Sequence, residues 1–262
     1  GTLLNQSHMV SKRAIAADTD VLELSQIVGK KLKTNVESNQ VILRSQLEQQ
    51  VWAVIVARME SQRLPNKAIL DVAGMPAIEH LIARVKQATL VDKIVLATTN
   101  KPEDDVLIKI ADRQGILSYR GAVEDVLERM LGAIEGEEVD LVIRITGDDI
   151  LIEPDYVDQA ISYHLEHNVE YSDLKRLPSG TEVEVFDAVL LRRIYQLAKD
   201  SSGTEYLTNY VKFHGDQFKT ASVPVQPKHS RNWRLTIDTE EDFKVICTLL
   251  QAMKGKGKSL NY

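Results

Sequence analysis

A single cysteine, Cys247, stands in 262 residues, so no intramolecular disulfide can form. That fits a reducing compartment, and the cytoplasm is the expected location. Cys247 lies in an apolar, helix-like run and reads as a core residue. No segment is long and apolar enough to cross a bilayer, and no signal peptide pattern is visible, so no membrane association is expected. A basic excess is missing too: 32 Lys and Arg stand against 38 Asp and Glu, a formal charge of -6. Nucleic-acid binding calls for a basic face and is not expected. Neither GxGxxG nor GxxxxGKS/T occurs, which excludes the Gly-rich dinucleotide turn and the P-loop.

What is present suffices for one full α/β domain with a small appendage. Gly1 to His8 reads as a leader ahead of a start at Met9, so residues 1–50 comprise this leader and the appendage, and residues 51–262 the main domain. Within the appendage, short apolar pieces alternate with polar turns, and nothing forms a complete core. The tail from Met253 is rich in Gly and Lys and reads as flexible.

Val51, Trp52, Val54, Ile55 and Val56 form a nearly unbroken apolar run, as expected of a parallel strand buried on both faces. Arg58, Ser61, Arg63 and Lys67 follow within a few residues. A cationic loop directly behind a buried strand is where an open α/β sheet places an anionic ligand. Guanidiniums bind phosphate oxygens bidentately and a lysine adds a point charge, so the ligand implied is a polyphosphate.

Further strands are expected at Lys93–Thr99, Ser118–Gly121 and Leu141–Thr146, with helices at Ile78–Val85, Pro102–Gln114, Pro154–His167 and Leu190–Ala198 between and after them. Glu103, Asp104 and Asp105 fall in the first turn of one helix, where the helix dipole accounts for their charge. The third strand runs into Gly147, Asp148 and Asp149. Adjacent carboxylates at the end of a central strand repel unless a cation is near. Mg²⁺ takes one or two carboxylates together with waters and substrate phosphates, so Asp148 reads as a metal ligand. Near the C-terminus, Thr239 and Asp242 form a helix-capping pair that leaves Asp238, at the end of an expected strand, unexplained.

The pattern A-R-x-x-S-x-R-L-P-x-K over residues 57–67, with R-I-T-G-D over 144–148 and L-T-I-D-T over 235–239, resembles the sugar-acid cytidylyltransferases. The spore-coat polysaccharide cytidylyltransferase-like proteins, relatives of the acylneuraminate and 3-deoxy-manno-octulosonate enzymes, are the subgroup it resembles. The resemblance implies a three-layer, Rossmann-like fold with a mixed, mostly parallel sheet. It implies transfer of CMP from CTP to a sugar acid of the nonulosonate type, Mg²⁺ held by Asp148 and Asp238, and a homodimer. Arg58, Ser61, Arg63 and Lys67 would hold the triphosphate, with Thr98, Thr99 and Arg120 further nucleotide candidates. Arg129, Lys175, Gly180 and Glu182 would contact the acceptor. Three departures stand out: Asn66 where relatives carry Gly, Asp149-Ile150 after the metal aspartate, and Tyr206 where a histidine is expected near the dimer contact. The run Ile27–Leu32 with Val41-Ile42 resembles part of the antifreeze-like (SAF) domain that ends sialic-acid synthases; the alternative is a small appendage packed on the main domain or on a partner. The rival functions are a nucleotidyltransferase with another acceptor, such as a sugar 1-phosphate, and a non-catalytic scaffold.

Overall fold

Strand β1 (Val51–Val56) is buried at every position and lies inside the main sheet, with a strand on either side. The computed structural model describes residues 3–9, 22, 24–197 and 206–255. A four-residue helix, α1 (Leu24–Ile27), precedes β1. After it come the two-residue strands β2 (Asp71–Val72) and β3 (Met75–Pro76), paired with each other. Helix α2 (Ala77–Val85), strand β4 (Lys93–Thr99), helix α3 (Asp105–Gln114), strand β5 (Leu117–Gly121), helix α4 (Val126–Gly132) and strand β6 (Leu141–Thr146) complete the alternating half. The second half runs α5 (Pro154–Glu166), β7 (Tyr171–Asp173), β8 (Glu184–Asp187), α6 (Ala188–Leu197), α7 (Tyr206–Phe213), β9 (Thr220–Ser222) and α8 (Glu240–Gly255).

The seven-stranded sheet has the order β5-β4-β1-β6-β8-β7-β9. The first four strands are parallel, whereas β8 pairs antiparallel with both β6 and β7, and β9 pairs parallel with β7. The expected mixed, mostly parallel α/β sheet is therefore present. Alternate side chains of β1 serve opposite faces, as strand geometry requires. Val51, Ala53 and Ile55 pack with α2, α3, α5 and α8. Trp52, Val54 and Val56 pack with α4, α6 and α7. Burial on both sides explains why the run is continuous rather than alternating. The chain leaves β1 towards β4 and β5, then returns to place β6 on the other side of β1. The crevice between the carboxyl ends of β1 and β6 is the switch point at which such sheets bind ligands.

Several boundaries differ from the sequence reading. Pro102–Asp104 is a 3-10 turn and the α-helix begins only at Asp105. The short strands β7, β8 and β9 carried no clear periodic signal. Residues 233–238 form no strand; an isolated bridge between Ser179 and Arg234 and the Ile237 N–H bond to the Asp148 carbonyl hold them. Residue 198, the segment 199–205 and the tail 256–262, with the expectations placed on them, lie outside the described residues.

Leu4, Leu22, Ile27 and Leu47 form a small separate core ahead of the sheet. Leu3 and Leu4, assigned by sequence to a leader, take part in this unit: Leu4 exchanges backbone hydrogen bonds with Gly29 and Lys30 at 2.9 Å each. The unit is fastened to the sheet domain by polar contacts. Lys30 pairs with Asp140 at 2.5 Å. Arg44 pairs with Asp187, and its guanidinium also reaches the Val169 carbonyl at 3.3 Å. Asp187 in turn accepts from His164, whose other ring nitrogen meets Ser172 at 3.0 Å.

Candidate active site

Past Val56 the chain turns at the switch point into the loop of residues 57–67. Its root is Met59. The Met59 N–H is held by the Asp104 carboxylate at 2.7 Å, and the Met59 carbonyl accepts from Asn66 N–H at 3.2 Å. Asn66 adopts φ 58°, a left-handed conformation that glycine and asparagine tolerate best. Asn66, where the resemblance expects glycine, thus adopts a conformation that glycine also takes readily. The clasp brings Arg58 and Lys67, nine positions apart, to the same cleft.

The cleft has a volume of about 700 Å³, within the ordinary range for small-molecule sites. At its centre the Lys67 ammonium touches Asp148 and stands 3.1 Å from Asp238. Asp238 also meets Arg63 at 2.6 Å and Arg234 at 2.9 Å. The two aspartates come from segments 90 residues apart. They are locked together because Ile237 N–H donates to the Asp148 carbonyl at 3.0 Å. Gly147 allows the close approach of β6 to β1, since a Cβ there would lie 2.6 Å from that of Ala57.

Asp149 has a different environment from its neighbour. Its carboxylate accepts from the Thr146 hydroxyl. Burial and the charge of Asp148 nevertheless push it up to about 7. Adjacent carboxylates in one site titrate apart because both cannot ionise freely.

The other wall comes from β6, β8, α7 and the 175–184 segment. Arg144 pairs with Glu184 at 2.5 Å, and Lys175 lies 3.8 Å from the same carboxylate. Partial burial, with Lys212 close by, pushes the Lys175 ammonium down. Burial raises Glu182, whose carboxylate accepts from Gly180 N–H at 3.0 Å. Gly180 has φ +92°, and a Cβ there would sit 2.4 Å from Thr236 N, so this glycine is required by the approach of the Arg234–Thr236 segment.

Of the residues expected in the site, Arg58, Ser61, Arg63, Lys67, Asp148 and Asp238 meet in the cleft, with Arg129, Lys175, Gly180 and Glu182. Arg129 is 2% exposed, and its Nε has no partner among the described residues. Its guanidinium and that of Arg58 converge on the Val123 carbonyl, each at 3.2 Å. The structure does not bring Thr98, Thr99 and Arg120 to the cleft. The two threonines are buried and bind Asp104. Arg120 points away, to Asp105 at 2.5 Å and to the Lys101 carbonyl at 2.7 Å. Sequence reading missed Arg144, Lys212 and Arg234. Arg144 left a trace, as a charge inside an apolar strand. Arg234 stands four positions before Asp238 but carries no motif, and Lys212 leaves no signal on its amphipathic helix.

No cluster of three or more His, Cys, Asp or Glu suited to a metal occurs among the described residues. No helix among them is long and apolar enough to cross a membrane.

The family model described as "Cytidylyltransferase" matches residues 52–258. The spore coat polysaccharide biosynthesis protein SpsF of Bacillus subtilis is 32% identical over 204 residues, covering 76% of this chain and 85% of that protein. A 3-deoxy-manno-octulosonate cytidylyltransferase of Trichlorobacter lovleyi is 33% identical over 112 residues, 43% of this chain and 44% of its own. Among solved structures, a cytidylyltransferase from Leptospira borgpetersenii superposes with a TM-score of 0.70 at 24% identity, covering 80% of this chain and 96% of that one. The match starts at Trp52, so the N-terminal unit stands outside it.

Proposed function

This chain belongs to the cytidylyltransferase family, and from that premise we propose that it transfers CMP from CTP to a sugar acid of the nonulosonate type in surface glycan synthesis, releasing pyrophosphate. The observation that carries the proposal is the meeting of Lys67, Asp148 and Asp238 at the carboxyl ends of β1 and β6. A nucleotidyltransferase must hold three phosphates and position an acceptor hydroxyl against the first. The 57–67 loop supplies the cations for the departing phosphates.

The donor set fits Mg²⁺. Two carboxylates converge on one cationic atom, the Lys67 Nζ, and Mg²⁺ needs no more protein ligands when phosphates and water complete its shell. Asp148 and Asp238 would hold it, and when bound it supplies charge neutralisation at the phosphates and activation of the acceptor oxygen. The chain's own part is orientation. Arg58, Arg63 and Lys67 bind the β- and γ-phosphates and stabilise the negative charge that gathers there. The acceptor oxygen forms a bond to the α-phosphorus, the bond from that phosphorus to the bridging oxygen breaks, and pyrophosphate leaves with the electron pair. The hydroxyl proton passes to solvent. Arg129, Lys175 and Glu182 face the acceptor and exclude alternative poses. A homodimer in the cytoplasm is part of the proposal, and light scattering on the purified protein reads its mass.

Pyrophosphate release from CTP, measured with a panel of sugar acids and sugar 1-phosphates and with ATP, GTP and UTP as competitors, tests this reading. Release that requires CTP, Mg²⁺ and a sugar acid supports it. Release only with sugar 1-phosphates would move the acceptor class. CTP binding without release under any acceptor would favour the scaffold.

A further inference from the structure

Asp104 is 1% exposed, yet it lines no part of the cleft. The helix dipole does not explain it either. It stands at the N-cap of α3, but its side chain makes no capping hydrogen bond to that helix. Its two oxygens accept four hydrogen bonds from elsewhere. One binds Met59 N–H at 2.7 Å. The other binds the Thr98 hydroxyl at 2.8 Å, Thr99 N–H at 3.0 Å and the Thr99 hydroxyl at 2.5 Å. Both oxygens of the carboxylate are thereby engaged, Oδ2 by three donors and Oδ1 by the Met59 N–H. Burial alone would raise this carboxyl, but the bonds from Thr99, Met59 and Thr98 outweigh it and hold it below its ordinary value.

Met59, the residue so bound, is the root of the 57–67 loop. Its N–H faces Asp104 and its carbonyl closes the loop on Asn66. Arg58 immediately precedes that root and Lys67 immediately follows the closure. The end of β4, through Thr98 and Thr99, thus fixes one carboxylate, and that carboxylate fixes where the two cations stand. We propose that Asp104 is the positioning residue of the phosphate-binding loop: it touches no ligand and sets the spacing of Arg58 and Lys67. This rests on reading that loop as the holder of the triphosphate. It also explains why the threonines expected to meet the nucleotide do not reach it, since their hydroxyls are committed to Asp104.

Asp104→Asn tests the idea with nearly unchanged volume. An amide keeps one acceptor oxygen and turns the other position into a donor facing N–H or O–H donors, so one side of the clasp must open. Hydrogen exchange of peptides spanning 57–67 should then quicken at least tenfold while β1 and β6 exchange as in the wild type. Affinity for inorganic tripolyphosphate and for CTP, titrated well below the melting temperature, should fall about tenfold or more. Thr98→Val removes one donor without placing a new one, and should give the same pattern in smaller degree. It serves if Asp104→Asn does not fold. Loop exchange that rises no more than strand exchange, or unchanged tripolyphosphate affinity in folded variant, would overturn the proposal. Wild-type protein that binds tripolyphosphate but not CTP would leave the positioning role standing and remove the cytidylyl reading. Wild-type protein that binds neither would remove both.

Discussion

The two walls of the cleft hold their charges in different ways. On the parallel wall, the loop after β1 and the ends of β6 and the 235–238 segment set cations directly against carboxylates: Lys67 lies between Asp148 and Asp238, and Arg63 and Arg234 close on the latter. On the antiparallel wall, Arg144, Lys175 and Glu184 stand on or beside the sheet itself, and burial moves the Lys175 and Glu182 equilibria. The first wall is a set of mutually compensated charges, which on the proposed reading a triphosphate and Mg²⁺ would rearrange. The second is a desolvated surface whose groups are held in place before any ligand arrives. Exchange of partners suits a ligand that leaves as pyrophosphate. Fixed polar groups suit recognition of an acceptor, because buried polar groups left unpaired by a wrong substrate are costly.

The largest test of this contrast lies in the aspartates. Asp148→Asn and Asp238→Asn should each lower turnover by roughly two to three orders of magnitude or more, the scale of losing one preorganised transition-state contact. Near-normal pyrophosphate release in either would remove that residue from the metal role. Repulsion between the two carboxylates is offset by Lys67, so neutralising one deprives a lysine of a partner. Asp238→Asn, which loses three cationic neighbours, should therefore melt lower than Asp148→Asn in the absence of nucleotide.

Lys67→Ala comes next. Loss of charge-assisted hydrogen bonds worth about 1.5–3 kcal/mol predicts CTP binding weaker by roughly tenfold to hundredfold. Calorimetry giving equal affinities would break the assignment of the parallel wall to the phosphates.

Gly180→Ala probes the other wall. The added Cβ would collide with the Leu235–Thr236 backbone, in a conformation that alanine resists. A stability loss of about 1–3 kcal/mol is expected, with a larger rise in KM for the acceptor than for CTP. An unchanged melting curve would show that the two segments are not in contact.

The smallest effect concerns the layer behind the antiparallel wall. His164 is fully buried between Ser172 and Asp187, and burial holds its imidazole below the ordinary value. The fold thus prefers the neutral ring. Its contribution to stability is full above the unfolded value of about 6.5 and is lost as pH falls below that value towards the lower folded one. His164→Gln should flatten the melting temperature profile between neutral pH and pH 5. An unaltered slope would mean that other groups set it. Since Asp187 also binds Arg44, the same profile reports on the hold of the N-terminal unit.

The cationic loop of the parallel wall was legible because its residues are contiguous, whereas Arg234 on the same wall was not. Arg58 through Lys67 is one stretch, Asp148 follows directly on the apolar strand β6, and Asp238 stood out because the capping pair Thr239 and Asp242 leaves it unexplained within a segment that resembles the family's. Binary pattern along the chain was enough to identify β1, β4 and β6 and the helices between them, since strands covered on both faces must be continuously apolar. The acid at position 104 was legible as a residue but misread, because a carboxylate in a first helical turn has a ready local explanation. Whether it caps its own helix or reaches back to Met59 depends on a contact 45 positions away.

Local pattern by itself determined the β1 strand, the cationic loop and the aspartate at the end of β6, because each follows from neighbours within a few residues. Only the tertiary structure decided that Thr98 and Thr99 serve Asp104 rather than a ligand, that Arg120 turns outward, and that Arg144, Lys212 and Arg234 enter the cleft. The physical reason is that antiparallel pairing of β8 with β6 and the bridge between residues 179 and 234 join segments distant in the chain. Side chains brought together in that way share no spacing along it, and their burial, which moves their charges, exists only once the sheet has closed over them.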